Sequence, residues 1–380
     1  MQVANLYRTG LIVLLVGGIV PVPARALLKF DDGHDELFAT GTLSIAYDSN
    51  ITATSSGQGD MIYSGGAGLQ YSRRAGIISV DASGGISTSH FGKTTSDDFS
   101  DPHFDGEFSA KDDRTSADLT LSTARESQAD IVAGIRAVSW NDAAGLNVKY
   151  RVTDRYSVSG TFNYTLQDFV TNTPLLTNLT SYSTGANLFY TINSARDLFV
   201  GYNFGLQETG RGLSYYDHSF NVGIDGKILP KLNGTVSVGY ELQDPHGSTT
   251  DHATGSTTET VSLTWNFSRR LKITGDLTQN FNAISTNGSV NTIASSLDAI
   301  FSMNSKTSLT GGVGGGYNRF IGLSADGRRD TYFTWNTGVN YTINDHFTTS
   351  LGYVYYENWS TVGFSDFIRH TITLTLNIRF

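Results

Sequence analysis

The sequence contains no cysteine among its 380 residues. A disulfide framework, a zinc–thiolate centre and a cysteine nucleophile are therefore excluded. Hydrophobic residues make up only 39% of the chain. After the first thirty residues, no segment approaches the roughly 18 consecutive apolar residues of a membrane-spanning helix. A β-barrel can still span a membrane, because only alternate residues of its strands must be apolar.

The sequence also lacks an excess of basic residues. It has 26 Lys and Arg against 35 Asp and Glu, which gives a formal net charge of −9. Proteins that bind nucleic acid neutralise phosphates with clustered Lys and Arg. The acidic balance therefore argues against a nucleic-acid partner.

The first 26 residues have the layout of a cleavable signal peptide. Arg8 precedes the uncharged apolar run Leu11–Val20, and Ala24 and Ala26 supply the small residues that a signal peptidase recognises. We expect residues 1–26 to be removed on export and residues 27–36 to form a short periplasmic segment. The exported chain would then have 24 Lys and Arg against 35 Asp and Glu, a net charge of −11.

The rest of the chain is one long series of segments in which apolar and polar residues alternate. In the last segment Ile372, Leu374 and Leu376 alternate with Thr373 and Thr375. Such alternation predicts strands with one apolar and one polar face. We assign 18 strands, near residues 37–48, 60–73, 76–91, 102–111, 115–126, 138–152, 155–168, 179–192, 197–208, 213–227, 231–243, 256–268, 271–282, 290–303, 306–319, 328–342, 346–358 and 365–380. The pattern defines the strands least well between residues 102 and 140.

The connections between these strands alternate between tight turns and longer segments rich in Gly, Ser, Thr and Asn. The longer ones fall near residues 49–59, 92–101, 127–137, 169–178, 209–212, 244–255, 283–289, 320–327 and 359–364. Outer-membrane barrels have this asymmetry, with short periplasmic turns and long external loops. We therefore predict an all-β fold: a transmembrane antiparallel up-and-down β-barrel of 18 strands over residues 37–380, in the outer membrane, with both termini periplasmic.

A barrel of this size is wide enough to be a pore. Eighteen strands give a backbone diameter of roughly 35 Å and a free lumen of about 20–25 Å, unless loops fold inward. With the apolar face against lipid, we expect charged residues of the polar face to line the lumen. The candidates are Asp81, Asp105, Glu107, Asp118, Lys149, Arg151, Asp225, Glu241, Lys272, Asp276, Asp298 and Arg369. Their acidic excess would favour neutral or cationic solutes over small anions.

Two short motifs resemble known families. The terminal Ile378-Arg379-Phe380 is similar to the last strand of bacterial outer-membrane proteins, which implies that the barrel-assembly machinery recognises this strand through Phe380. Tyr47-Asp48-Ser49-Asn50-Ile51, after the first strand, resembles the β-barrel porin 2 family of exopolysaccharide-export-associated porins. That resemblance implies a passage for secreted exopolysaccharide and a periplasmic polysaccharide-export protein as a partner.

Other functions stay open beside polymer export. The close alternative is a general or small-solute diffusion porin, and the distant ones are an outer-membrane hydrolase and a surface protein that displays its loops. Asp217 and His218 are adjacent, but neighbouring strand residues point to opposite faces, and no glycine-flanked serine nucleophile is present. We therefore predict no catalytic, metal or cofactor site. A long loop folded into the lumen would favour the selection of small solutes. An open lumen would favour the passage of a polymer, or a partner protein that acts as a plug.

The terminal motif gives the first testable prediction. Phe380→Ala should impair assembly into the outer membrane, because it removes the aromatic end of the strand that the machinery recognises. The yield of folded barrel in outer-membrane fractions measures this effect. A normal yield would contradict the interpretation of the last strand.

Overall fold

The computed structural model describes residues 27–30, 34–247, 252–322 and 327–380. The expected signal peptide lies outside the described residues. No helix among these residues is both long and apolar enough to cross a membrane.

The described chain is built almost entirely of β-strands. Besides the short β1 (Leu28–Phe30), they are β2 (Asp35–Asp48), β3 (Asp60–Ala75), β4 (Ile78–Phe91), β5 (Phe99–Lys111), β6 (Thr115–Asp130), β7 (Ile135–Arg151), β8 (Tyr156–Phe169), β9 (Leu179–Asn193), β10 (Arg196–Thr209), β11 (Ser214–Leu229), β12 (Leu232–His246), β13 (Thr254–Trp265), β14 (Leu271–Ile284), β15 (Gly288–Ser302), β16 (Thr307–Ile321), β17 (Arg329–Thr342), β18 (Phe347–Ser360) and β19 (Phe367–Arg379). Two single-turn 3-10 helices, Thr95–Asp97 and Gly363–Ser365, lie in connections.

The sheet closes on itself. Every strand from β2 to β19 pairs antiparallel with the next one in the chain, and β19 returns to pair with β2, from Arg379↔Thr40 to Thr371↔Asp48. The short β1 pairs with β2 at Leu28↔Leu37, beyond the end of β19. The predicted 18-stranded antiparallel barrel is thus confirmed. Closure leaves no free edge in the barrel wall between the end that carries the short turns and the points where strands leave it, the condition for a β-structure to span a membrane.

The apolar face of the strands points outward. On β19, for example, Ile368, Ile372 and Leu374 are each about half exposed, and the alternate Thr373 points inward. Large exposed side chains of this kind recur on nearly every strand and form a continuous apolar belt. In water such a surface would drive aggregation, so its natural surroundings are acyl chains.

Aromatic pairs lie at both ends of this belt. Tyr156 and Tyr190 pair at one end, with ring centroids 5.4 Å apart, and Tyr164 and Tyr182 pair at the other, 5.2 Å apart. Tyr182 and Tyr190 are both on β9. These two positions are eight residues apart, which corresponds to about 27 Å along a strand. This spacing agrees with the roughly 25 Å band between the aromatic girdles of outer-membrane barrels.

At one end of the barrel, short turns join the strands, and side chains fix their conformation. We call this end the turn end. The Asp112 carboxylate accepts hydrogen bonds from the amides of Arg114 and Thr115, at 2.7 and 2.6 Å. These bonds lower the pKa of Asp112. Asn304 and Asn344 accept the corresponding pair of amide bonds in their turns. This turn chemistry explains the Asp and Asn residues at the predicted tight connections. Both ends of the described chain lie at the turn end.

At the opposite, looped end, two predicted long loops are wrong. The segments 127–137 and 283–289 continue as strands, so that β6 and β7 are joined by only residues 131–134, and β14 and β15 by only 285–287. In the first turn, Gly134 has a φ of +68°, and its amide donates to the carbonyl of Asp130 at 2.8 Å. Backbone pairing within each hairpin continues past the apolar belt. Strand residues outside the belt need not alternate between apolar and polar, so the sequence pattern does not reveal them.

The first and last strands are joined at the looped end by a buried ion pair. Asp48 is buried, and Arg369 Nε donates to its Oδ2 at 2.9 Å, with a further bond from Nη2. The amide of Asn50 donates to Asp48 Oδ1 at 2.9 Å, and Asn50 Nδ2 donates to the carbonyls of Thr54 and Ile368. The Tyr47–Ile51 motif therefore holds the loop between β2 and β3 against β19.

Removal of this arginine should destabilise the barrel. In Arg369→Met the buried Asp48 loses its counter-charge, which we expect to lower the free energy of unfolding by about 3–5 kcal/mol. Urea unfolding of the protein in lipid vesicles measures the change. Arg151→Met, at the exposed turn end, is the matched control. Equal stability of the two variants would show that the ion pair does not hold the seam.

Candidate functional site

The hairpin of β6 and β7 leaves the barrel wall at the looped end. The ladder between β5 and β6 ends at His103↔Ala124, and the ladder between β7 and β8 ends at Ser139↔Phe169. Past both points β6 and β7 pair with each other at four further positions, from Ser127↔Val138 to Asp130↔Ile135. We call residues 125–138 the inward hairpin. Four positions at about 3.4 Å each, with the tip beyond them, let it project about 14 Å or more from the wall.

Pro102 explains where the ladder between β5 and β6 ends. Arg125 Nη1 donates to the carbonyl of Ser100 at 2.8 Å, so this carbonyl faces β6. Backbone groups two residues apart on a strand face the same neighbour, so the nitrogen of Pro102 also faces β6. Proline has no amide hydrogen, and the ladder cannot continue there. The proline thus frees β6 to leave the wall above Ala124.

The inward hairpin reaches the opposite side of the barrel. Val132 at its tip packs against Ile284, Val290 and Phe320, which are buried residues of β14, β15 and β16. In the ring of 18 strands, β6 and β15 are nine strands apart and hence diametrically opposed. Ser285 Oγ donates to Asp130 Oδ2 at 2.7 Å across this contact. The hairpin therefore crosses the opening of the barrel.

A buried arginine clamps the tip of the hairpin. Arg328 Nη1 donates to the carbonyl of Val132 at 2.8 Å, and its Nη2 donates to the carbonyl of Ile131 at 3.3 Å. Arg328 forms an ion pair with Asp330 at 2.7 Å, and both side chains are buried. Its Nη2 also donates to Ser365 Oγ at 2.9 Å. The hairpin is thus tied to the loops that join β16 to β17 and β18 to β19.

A second strand also moves away from the wall. β13 and β14 form only six ladder pairs, and the last is Thr260↔Thr278. Beyond it, the free edge of β14 bonds to side chains and a loop. Gln207 of β10 donates to the carbonyl of Phe281 at 3.3 Å and accepts from the amide of Ala283 at 2.5 Å. The amide of Thr177 donates to the carbonyl of Ser285 at 2.8 Å. β14 therefore covers the inner face of β10 to β12, and the opening narrows from this side too.

The inward aromatics are covered. The rings of Tyr332 and Tyr356 stack 5.8 Å apart, and Tyr356 is only 4% exposed because residues of the inward hairpin pack on it. Phe189 lies 5.4 Å from Phe199 and under the Lys149 ammonium, 4.0 Å from the ring centroid. In each pair one ring, Tyr356 or Phe189, is buried, and its partner, Tyr332 or Phe199, is only partly exposed.

The structure places all twelve candidate lumen residues on the strand faces opposite to the exposed apolar side chains. Asp81 and Glu107 are register partners on β4 and β5. Asp81 forms an ion pair with Arg74 at 2.5 Å, and Lys149 forms one with Asp197 at 3.2 Å. The other candidates, Asp105, Asp118, Arg151, Asp225, Glu241, Lys272, Asp276, Asp298 and Arg369, lie on β5, β6, β7, β11, β12, β14, β15 and β19 and form no single cluster. That they contact a solute stays a prediction.

Glu241 and Arg369 lie in enclosed positions. Glu241 is only 9% exposed and lies where β14 covers β12. Arg369 is the partner of Asp48. As expected from alternation, Asp217 and His218 diverge: Asp217 accepts a bond from Gln243 at 3.0 Å inside, and His218 contacts the Tyr202 hydroxyl at 2.8 Å outside. Among the described residues, no group of three His, Asp or Glu could hold a metal ion.

Arg136, Arg328 and the inward hairpin itself were not predicted from the sequence. A signal was present, since the tip carries the apolar residues Ile131 and Val132 in a segment interpreted as an external loop. Apolar residues at the tip of a loop predict a buried contact, because exposure to water would be unfavourable. The partners of this contact are more than 150 residues away in the sequence, so no local pattern identifies them.

Comparisons with known proteins support a porin-type barrel. The family model described as "Putative beta-barrel porin 2" matches residues 216–380, which is less than half of the chain and excludes the Tyr47–Ile51 motif. No curated protein matches the chain.

Several solved bacterial structures are similar to this chain. OccAB2 of Acinetobacter baumannii is similar with a TM-score of 0.50 at 10% identity, over 93% of this chain and 99% of that one. The outer membrane protein OpdK of Pseudomonas aeruginosa gives a TM-score of 0.48 at 10% identity, over 91% and 99% of the two chains. The siderophore receptor PirA of Pseudomonas aeruginosa gives 0.43 at 10% identity, over 90% and 80%. At these identities the likeness extends to the fold only.

The clamp on the hairpin can be tested directly. Arg328→Met removes the bonds to Ile131 and Val132, so the hairpin should leave the opening and single-channel conductance should rise by about twofold or more. Planar-bilayer recordings measure the conductance. Arg329→Met, at the adjacent exposed position, is the control. If both variants fold and conduct equally, the hairpin does not limit the passage.

Proposed function

We propose that the protein is an outer-membrane pore that admits small solutes by diffusion and selects them by size at the looped end. The observation that carries this proposal is the inward hairpin, whose residue Val132 packs against Ile284, Val290 and Phe320 on the opposite side of the barrel. The match of residues 216–380 to a porin family model supports a pore.

A narrowed opening favours small solutes over polymer. An exopolysaccharide passage needs a continuous wide lumen, whereas here the hairpin and the free edge of β14 approach each other across it. In each inward aromatic pair one ring is buried, Tyr356 in one and Phe189 in the other, which leaves little open ring surface for a sugar to stack on. Polymer export and its periplasmic partner rest on the short Tyr47–Ile51 motif, which the structure accounts for as a closure of the barrel seam.

The wall below the opening should favour cations modestly. Eight of the twelve candidate lumen residues are acidic, and only Asp81 among those eight forms an ion pair among the described residues. Fixed charges that line a narrow water-filled passage raise the local concentration of counter-ions. Dissolved salt screens this effect. We therefore expect a weak preference for cations that falls as the salt concentration rises.

Liposome swelling tests the proposed function. Vesicles that contain the protein should swell quickly with arabinose, slowly with raffinose and not with a large dextran. A variant in which a two-residue Asn-Gly turn replaces residues 127–138, between the register partners Glu126 and Ser139, should admit raffinose about as fast as arabinose, because the part of the hairpin that crosses the opening is gone.

Two outcomes would overturn the proposal. Vesicles that swell with none of the solutes, and bilayers that show no conductance, would exclude a pore. Rapid entry of dextran through the unaltered protein would exclude size selection and favour polymer passage. Folding of each preparation is checked by its heat-dependent mobility in electrophoresis.

A further inference from the structure

A recess of about 140 Å³ lies between the inward hairpin and the barrel wall. The wall contributes Asp48, Phe91, Phe99 and Arg369, and the hairpin contributes Gln128 and Arg136. Cavities of roughly 150 Å³ in other proteins hold a single benzene ring. The recess therefore has the size of a solute with one ring.

Arg136 brings a positive charge into this recess without a carboxylate in contact. Its Nη2 donates to the carbonyl of Ser127 at 2.7 Å, and its Nη1 donates to the carbonyl of Ile51 at 3.4 Å. Its Nε is buried without a hydrogen-bond partner. Unlike Arg125 and Arg328, Arg136 forms no ion pair within the part of the chain that the structure describes.

The other charges of the recess leave it positive. Asp48 is engaged by Arg369 through both carboxylate oxygens, so these two side chains neutralise each other. The lining as a whole then carries two guanidinium groups and one carboxylate. A half-buried cation of this kind is stabilised by an anion that enters beside it, and a guanidinium prefers a planar carboxylate.

Aromatic and apolar groups complete the recess. The guanidinium carbon of Arg136 lies 4.8 Å from the centroid of the Phe91 ring and 5.6 Å from that of Phe99. Ile62 and Ile131 also line the recess. Phe91 is fully buried beneath the guanidinium, so the partly exposed Phe99, Ile62 and Ile131 are the groups that suit the flat apolar body of a solute whose carboxylate meets the arginine.

We propose that the recess binds a small planar carboxylate of about one aromatic ring, with Arg136 as its carboxylate partner. This inference rests on the proposed function and names a solute class for its narrowed opening. Asp97 and Asp101 are the acidic groups outside the recess lining whose charges act on Arg136, and Asp101 is already paired with Arg125. Asp105 and Glu107 lie six and eight residues further along β5 than Phe99, toward the turn end, and this separation exceeds the Debye length of about 8 Å at physiological ionic strength.

Isothermal titration of benzoate into the folded full-length protein in detergent, at low chloride, tests the proposal. Benzoate should bind at least about tenfold more tightly than benzamide, which has the same shape but no charge. In Arg136→Gln, benzoate affinity should fall about tenfold, and benzamide affinity should not change. Phe99→Leu should weaken both ligands and leave their ratio unchanged.

Arg125→Gln is the matched control, because Arg125 lies on the same hairpin but already pairs with Asp101 at 3.0 Å. It should leave benzoate affinity within about twofold of the unaltered protein. Arg136→Lys keeps the charge without the planar fork and should give an intermediate affinity. Equal affinity for benzoate and benzamide, or unchanged benzoate affinity in folded Arg136→Gln, would overturn the proposal.

Bilayer conductance of the same preparations separates this inference from the proposed function. A protein that conducts but does not bind benzoate refutes the carboxylate site and leaves the pore intact. A folded protein that does not conduct refutes the pore, and the carboxylate site then loses its role in solute selection even where benzoate binds.

Discussion

The structure depends on one constraint: every backbone N–H and C=O group of a membrane-spanning strand must bond to a neighbouring strand. In the hydrocarbon layer no water replaces a missing partner, so the sheet must close. The closing pair is β19 with β2, and at its looped end Asp48, Arg369 and Asn50 fix the contact. The polar groups of this seam are buried and mutually satisfied, so the first and last strands meet in one register.

Above the apolar belt, two strands satisfy their backbone groups without their neighbours in the barrel wall. The candidate site forms where these strands leave the wall. β6 leaves its neighbour where Pro102 ends the ladder, and the hairpin it forms with β7 satisfies its own backbone. β14 leaves β13 beyond Thr278, and Gln207 takes the place of a neighbouring strand by bonding to a carbonyl and an amide of its free edge. Both strands turn into the opening and not outward into solvent. The tips of their hairpins are apolar, and they pack against apolar residues on the other side of the barrel.

The fold could be predicted from local pattern because a barrel strand meets lipid on one face and water on the other. Alternation along each strand, as in Ile372, Thr373 and Leu374, encodes this directly, and the number of strands and their approximate bounds follow. The candidate site could not be predicted in this way. The clamp joins Arg328 to Val132 across nearly 200 residues of sequence, and no periodicity carries information about contacts at that range.

The recess depends both on the local sequence and on long-range contacts. Arg136 lies next to Ile135, where β7 begins, so its position in the chain resembles that of an external loop residue. Folded inward, the hairpin brings it onto Phe91 and Phe99 of the wall, where bulk water no longer solvates its charge fully. A cation kept there without an ion pair gains more from an anionic ligand than it would outside, since electrostatic attraction strengthens as water is excluded. In the proposed pore, the hairpin that narrows the opening would therefore also bind anions there through Arg136, whereas the acidic wall below the opening favours cations.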